Sequence, residues 1–270
     1  MTPSFETLGL ELENNVATVM LNRPDSANAM NAPMWVDIHK CFEWLDSEPS
    51  VRVVVLMGSG KNFCSGLDLE MFQNLHGGSS DPARVAELLR QRVLELQRNL
   101  TAIEICRKPV LAAVQRACIG GGVDMISCCD MRYACQDTYF SIREIDIGMT
   151  ADVGTLQRLP KLIPDGVARE LAYTGRKLSG DEAKTVGFVN AVFDDHSSLI
   201  SGVKDIAKEI ASKSPISIRG TKEMLLYTRD HSVQDGLNYI ATWNAGMMSQ
   251  HDLMAGITAQ SERKVADYED

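Results

Sequence analysis

Apolar and polar side chains alternate in two runs, residues 7–13 and 16–21, on either side of Asn14-Asn15. Alternation at period two buries one face of a strand, so these runs and the turn between them predict a β-hairpin. After the turn-rich LNRPDSANAMN, Trp35, Ile38, Phe42 and Leu45 recur at helical spacing, with Pro33 near the predicted helix start. VRVVVLMGSG, residues 51–60, has no alternation at all. An unbroken apolar run ended by a glycine turn reads as a strand buried on both faces. A long polar-faced helix follows from about Pro82 to Cys106, and PVLAAV, residues 109–114, is a second buried strand. A glycine run, a short helix and strands near 131–135 and 138–142 come next.

Beyond Asp152 the pattern becomes helical, with one more strand near Phe188 to Phe193. Leu199, Val203, Ile206 and Ile210 mark one helical face, and Leu237, Ile240, Trp243 and Met247 mark another. No low-complexity linker and no strong sequence repeat separates the regions. The predicted architecture is α/β, with a strand-helix core over residues 1–195 and a helical part over 196–270 packed on it.

Composition narrows the possibilities. At 270 residues, 44% hydrophobic and 23% charged, with 20 Gly and 9 Pro, the chain is an ordinary globular protein. The balance of 27 basic against 36 acidic residues, a formal charge of -9, argues against a broadly basic surface for nucleic acid or anionic membranes. No apolar run is long enough to span a bilayer. The first ten residues lack a basic and an apolar signal region, and DYED at the end is not an S-K-L type address. The expectation from these features is a cytoplasmic protein. Seven cysteines include no C-x-x-C pair, and Cys118, Cys128, Cys129 and Cys135 sit among apolar or small residues, as buried reduced thiols do. Five histidines show no ligand spacing, so a metal centre is not expected.

Nucleotide and hydrolase motifs fail. GSGKNF, residues 58–63, ends in Phe63 where a dinucleotide fingerprint needs glycine, and no G-x-S-x-G elbow occurs. Two glycine turns remain, FCSGLDL (63–69) and IGGGVDM (119–125), each following a buried strand. Glycine lets a ligand approach the backbone, and two amides converging from such turns would form an oxyanion hole. Either turn alone reads first as an ordinary strand end, and only the two together point to such a site. The carboxylates near them are Asp124, in the first turn of a short helix, and Glu144 and Asp146, placed on one face by alternation in FSIREIDIG. Asp152 lies in the turn MTADVG. An acid in a first helical turn also stabilises the helix, and loop acids are usually solvated. Their meaning depends on whether the fold gathers them.

LNRPDSANAMN, KNFCSGLDL, GGGVDMISCCDMRYA and FSIREIDIGMTADVGTLQRLPKLI together resemble the crotonase, or enoyl-CoA hydratase/isomerase, superfamily. The likeness continues through AYTGRKLSGDEAKTVGFVNAVF and covers nearly the whole chain in order. It implies a spiral of repeated strand-strand-helix units, an acyl-CoA thioester as substrate, and homotrimers or homohexamers built through the helical C-terminal part. It also implies that the amides of Leu67 and Gly121 are the two oxyanion donors. Ser65, Gly66 and Asp68 are expected at the substrate, and Ala27 and Ala29 in the stretch Ser26 to Met30 at the adenine. Hydratases of the superfamily carry glutamate at the positions of Asp124 and Glu144 and generally glycine at that of Asp152. Aspartate at 124 and 152 instead resembles the dienoyl-CoA isomerase branch, which converts 3,5-dienoyl-CoA to 2,4-dienoyl-CoA in β-oxidation; the alternatives are an enoyl-CoA hydratase or another isomerase of the superfamily, and then a non-catalytic acyl-CoA-binding subunit. In the dienoyl-CoA isomerase branch the residue matching Asp152 removes a proton from C2, the one matching Glu144 delivers one to C6, and the one matching Asp124 assists.

Such chemistry needs one carboxyl ionised and another protonated, so an apolar wall of Ile119, Phe140 and Met149 is expected around Glu144. Coenzyme A is polyanionic, and Arg23, Lys61, Arg107 and Lys108 lie near the relevant turns as candidate contacts or as solvated surface charges.

Overall fold

The computed structural model describes residues 2–72 and 80–270. The hairpin is present as β1 (Leu8–Glu13) antiparallel to β2 (Val16–Leu21), with Glu13 opposite Val16. Asn14 and Asn15 take φ of 50° and 63°, the left-handed pair that a two-residue hairpin turn requires and that Asn tolerates. Helix α1 (Ala32–Ser47) is capped by the Asn31 side chain, which accepts from the Met34 amide at 3.1 Å. It buries Trp35, Ile38, Phe42 and Leu45, as their spacing predicts.

From β2 the main sheet grows by parallel addition of β3 (Val53–Gly58), β4 (Val110–Val114), β6 (Met131–Cys135) and β9 (Ala191–Phe193). α2 (Pro82–Ile105) links β3 to β4. A second, smaller sheet joins β5 (Ala117–Ile119) to β7 (Tyr139–Ser141) in parallel, and β7 to β8 (Leu178–Ser179) in antiparallel fashion. Isolated parallel bridges Met30 to Leu67 and Cys64 to Cys118 continue that second layer. After β2, β3, β4 and β6 in turn, the chain leaves the main sheet and lays a short extended piece on the preceding one. Before the next main-sheet strand, each of the first three turns adds a helix: α1, α2 and α3 (Gly121–Ser127). This is the strand-strand-helix spiral that the family resemblance implied, repeated in backbone rather than in sequence.

Several boundaries differ from the pattern-based expectation. β5 went unpredicted because three residues cannot display a period, and β8 is shorter still. Phe188 and Val189 are buried but lie outside β9, and the strand expected over 138–142 is confined to 139–141. Residues Glu144–Ile147 form a single 3-10 turn, so Glu144 and Asp146 do not share a strand face.

After the second layer come α4 (Thr155–Arg158), α5 (Asp165–Thr174), α6 (Gly180–Thr185) and α7 (His196–Ala211). α7 buries Leu199 and Val203 against Val53, Val55, Leu111 and Ala113, closing one face of the main sheet. The other face carries α1 and the end of α2, which explains why β3 and β4 are apolar throughout. Three further helices complete the chain: α8 (Pro215–Asp230), α9 (Val233–Met247) and α10 (Gln250–Glu262). The apolar stripe expected on α9 is present but uncovered, with Leu237 59% and Met247 52% exposed. All seven cysteines are buried and none is bonded to another.

Candidate active site

The two glycine turns meet. Gly66 has φ of +99°, and a Cβ there would lie 3.0 Å from the Ile119 carbonyl oxygen, so a side chain would prop the turns apart. A Cβ at Gly121 would lie 3.1 Å from Met30 Sδ and 3.8 Å from the Leu67 amide nitrogen. The neighbours of Leu67 are stitched down: Met30 N–H donates to the Gly66 carbonyl at 2.8 Å, and Asp68 N–H to the Met30 carbonyl at 3.2 Å. Among the described residues, neither the Leu67 nor the Gly121 amide is used in a turn or ladder hydrogen bond. Both residues line a cavity of about 330 Å³.

Asp124, Glu144 and Asp152 all line that cavity. Asp124 is fully buried; its Oδ1 accepts from the Thr155 amide at 2.6 Å, while Oδ2 has no partner. Burial pushes its pKa from 3.8 to about 7, with the charges of Glu144 and Asp152 adding to the rise and the Thr155 hydrogen bonds opposing it. Glu144 leads the 3-10 turn and approaches Gly120, where φ is +50° and a Cβ would stand 3.0 Å from Oε1. Its Oε2 is buried without a partner. Burial first, and then the charge of Asp152, raise the Glu144 pKa. Asp152 is half-buried, and burial raises its pKa as well. Three acids that face one cavity and all resist ionisation form a proton-handling set.

The rest of the lining is mainly apolar. Leu89, Val93 and Leu96 of α2 face the carboxylates, with Met71, Ile147 and Val153 beside them. Ile119 and Met149 line the cavity as expected. Phe140 does not: it packs edge-on against Phe188 with ring centroids 5.2 Å apart, because its strand position turns it into the core. Asp146 also leaves the site, pairing with Arg143 at 2.9 Å on the surface. Ser65 and Gly66 line the cavity, whereas Asp68 lies outside it in an ion pair with Arg23 at 2.9 Å.

Arg23 also donates to the Ala29 carbonyl, so it is engaged within its own loop. Ala27 and Ala29 lie outside the cavity, in a loop bound to the Ser65 turn through the Ser65 amide and the Ala27 carbonyl at 3.0 Å. Arg107 and Lys108 are not free for a ligand. Arg107 forks onto Asp46, and buried Lys108 donates to the carbonyls of Leu45, Asp46 and Glu48, capping the C-terminus of α1. Lys61 alone of the four is exposed without an ion pair among the described residues.

Two residues escaped the sequence reading. Asn28, fully buried, donates to the carbonyls of Ser59, Asn62 and Phe63 and accepts from the Arg23 amide, locking the loop before α1 onto the start of the first glycine turn. Thr155 holds Asp124 by its amide, which no side-chain motif can advertise. The apolar stripe of α2 was legible at spacings of four and three in an otherwise polar helix.

The profile describing enoyl-CoA hydratase/isomerase matches residues 11–270. A peroxisomal Δ(3,5)-Δ(2,4)-dienoyl-CoA isomerase of Arabidopsis thaliana is 44% identical over 267 residues, 97% of this chain and 96% of that protein. A mitochondrial Δ(3,5)-Δ(2,4)-dienoyl-CoA isomerase of Rattus norvegicus is 44% identical over 255 residues, 93% of this chain and 78% of the relative. A solved enoyl-CoA hydratase from Bacillus anthracis superposes with a TM-score of 0.86 at 28% identity, covering 98% and 99% of the two chains. These relatives overturn the expected cytoplasmic location, since those named by compartment are peroxisomal or mitochondrial. Lack of a recognisable address was too weak a ground for it. The layered spiral, the paired glycine turns and a match running from residue 11 to the last residue agree: this chain belongs to the enoyl-CoA hydratase/isomerase family.

Proposed function

We propose that this protein isomerises 3,5-dienoyl-CoA to 2,4-dienoyl-CoA in the β-oxidation of unsaturated fatty acids. The observation that carries this reading is Asp152, a third carboxylate in the same cavity as Glu144 and Asp124. The thioester oxygen accepts from the Leu67 and Gly121 amides, which stabilise the enolate as charge develops; each such donor is typically worth about a hundredfold or more in rate.

Asp152 is the base. It is the least buried of the three acids, and its charge helps keep Glu144 protonated. Its carboxylate removes a proton from C2. The electron pair forms the C2–C3 double bond, the C3–C4 π pair moves to C4–C5, and the C5–C6 π pair takes the proton of Glu144 at C6. The products are the 2,4-diene, neutral Asp152 and ionised Glu144, and exchange with solvent restores the starting states. Asp124, held at one oxygen by Thr155, lines the same cavity, where the charge of Glu144 opposes its own ionisation. Every proton donor and acceptor is a side chain, so no cofactor enters; coenzyme A is part of the substrate.

Ser65 and Gly66 border the thioester, and the Ser26 to Met30 loop with Ala27 and Ala29, closed by Asp68 on Arg23, faces the adenine end. Exposed Lys61 is the cation left for a phosphate. The uncovered apolar faces of α8, α9 and α10, which frame a groove of about 920 Å³, support assembly into a homotrimer or homohexamer.

The test is formation of the conjugated 2,4-diene from 3,5-octadienoyl-CoA, followed by absorbance beside hydration of crotonyl-CoA. Asp152→Asn is expected to lower isomerisation by about 10²–10⁴-fold with folding intact. Undiminished isomerisation in that variant, or faster hydration than isomerisation in the native protein, refutes the proposal.

A further inference from the structure

The segment carrying Asp152 is short, irregular and held from one side by a row of polar residues on α2. Gln97, Thr101 and Glu104 follow one another at spacings of four and three, so they share a helical face. Gln97 Nε2 donates to the Asp152 carbonyl at 2.6 Å. Arg158, at the end of α4, donates to Thr101 Oγ1 at 3.4 Å and grips Glu104 with Nε at 3.1 Å and Nη2 at 2.8 Å. That fork is largely buried, with 14% and 10% of the two side chains exposed.

Burial alone would raise the Glu104 pKa, but hydrogen bonds from Arg158 and then Arg229 overcome it and hold the carboxyl below its ordinary value. The Arg158 guanidinium folds back beneath Gly154, where φ is +136° and a Cβ would overlap Nη1. The next residue is Thr155, whose amide holds Asp124. Arg229 of α8 reaches the same Glu104 from the more exposed side.

We infer that Glu104 is a positioning residue for the proton-transfer carboxylates: through the Arg158 fork it sets where the 152–155 backbone, and with it Asp152 and the Asp124 clamp, stands against the acyl chain. The residues responsible lie behind the cavity wall and touch no substrate. A bidentate carboxylate–guanidinium pair in a shielded site fixes geometry as well as charge. A loop displacement of about 1 Å costs on the order of a hundredfold in rate when the reacting atoms must be aligned. The inference rests on the isomerase reading above for its kinetic arm only.

The experiment compares Glu104→Gln with Arg229→Gln. Glu104→Gln keeps size and one hydrogen bond but loses the charged fork; Arg229→Gln leaves the Arg158 fork in place. With 3,5-octadienoyl-CoA, Glu104→Gln is expected to lower kcat at least tenfold with KM within about twofold, because the thioester and adenine ends are bound elsewhere. Arg229→Gln is expected to keep native kcat even where its melting temperature falls. In parallel, amide hydrogen exchange at Thr155 should quicken in Glu104→Gln and not in Arg229→Gln. Native kcat in Glu104→Gln, or equal losses of kcat in the two variants, overturns the inference. If the native protein does not turn over dienoyl-CoA, the isomerase reading fails separately. The exchange arm then decides, and an unchanged Thr155 rate in Glu104→Gln overturns the inference.

Discussion

Asp124 shows how one buried acid links stability to pH. Its pKa rises from 3.8 to about 7 on folding, so the folded chain favours the neutral form. For an acid raised in this way, the stabilisation is fully present below the unfolded value and is lost as pH climbs through the folded one. Glu144 and Asp152 shift in the same direction and add to the trend. Native stability should therefore fall between about pH 4 and pH 7 from this cluster. Asp124→Asn cannot ionise and is expected to melt several degrees above the native protein at pH 8 while converging with it near pH 4, as read by thermal scans at both values. A second residue-scale expectation concerns Gly120. Alanine there meets both a φ of +50° and Glu144 Oε1 at 3.0 Å. Gly120→Ala should cost about 1–3 kcal/mol in denaturant titration through backbone strain. Displacement of Glu144 should also lower isomerase kcat at least tenfold.

At the scale of elements, most of the proposed catalytic groups sit on the least regular pieces. Asp152 is in a loop, Glu144 in one 3-10 turn, and Leu67 in a one-residue bridge. What holds them is the regular structure around them: β3 and β5 lead into the turns, and α2 supplies both the apolar wall and the polar row behind Asp152. Lys108 belongs to this scaffold. Its ammonium serves three carbonyls at the end of α1, so Lys108→Met leaves those acceptors without a charged donor. The expected result is a loss of about 1–3 kcal/mol in urea unfolding with kcat per folded molecule unchanged. A fall in coenzyme A affinity without loss of stability would return Lys108 to the ligand.

At the scale of the whole molecule, α7 closes the sheet while α8, α9 and α10 leave apolar side chains in water. Leu225 is 69% exposed and Leu237 59%, on neighbouring helices that border the same groove. Under the proposed assembly, Leu237→Glu is expected to shift light-scattering mass from three or six copies toward the 29.7 kDa monomer. A native protein already at that mass would refute the assembly. No described helix is long and apolar enough to cross a membrane.

Read alone, the chain disclosed whatever is written in local periodicity and composition. The hairpin at Asn14-Asn15, the buried runs of β3 and β4, the buried face of α1 and the two glycine turns all follow from side-chain spacing and backbone freedom. So did Asp124, Glu144 and Asp152 as a set, through resemblance of motif, although no local rule joins a helix, a turn and a loop. Tertiary structure decided the remainder. It sent Phe140 to the core, gave Lys108 and Arg107 to the end of α1, and placed Thr155 on Asp124. It also backed Asp152 with Gln97 and the Arg158–Glu104 fork. Each of these is a contact between positions separated by tens of residues, set by how the spiral stacks one turn on another. Periodicity records which side of an element is apolar; it does not record what that side meets.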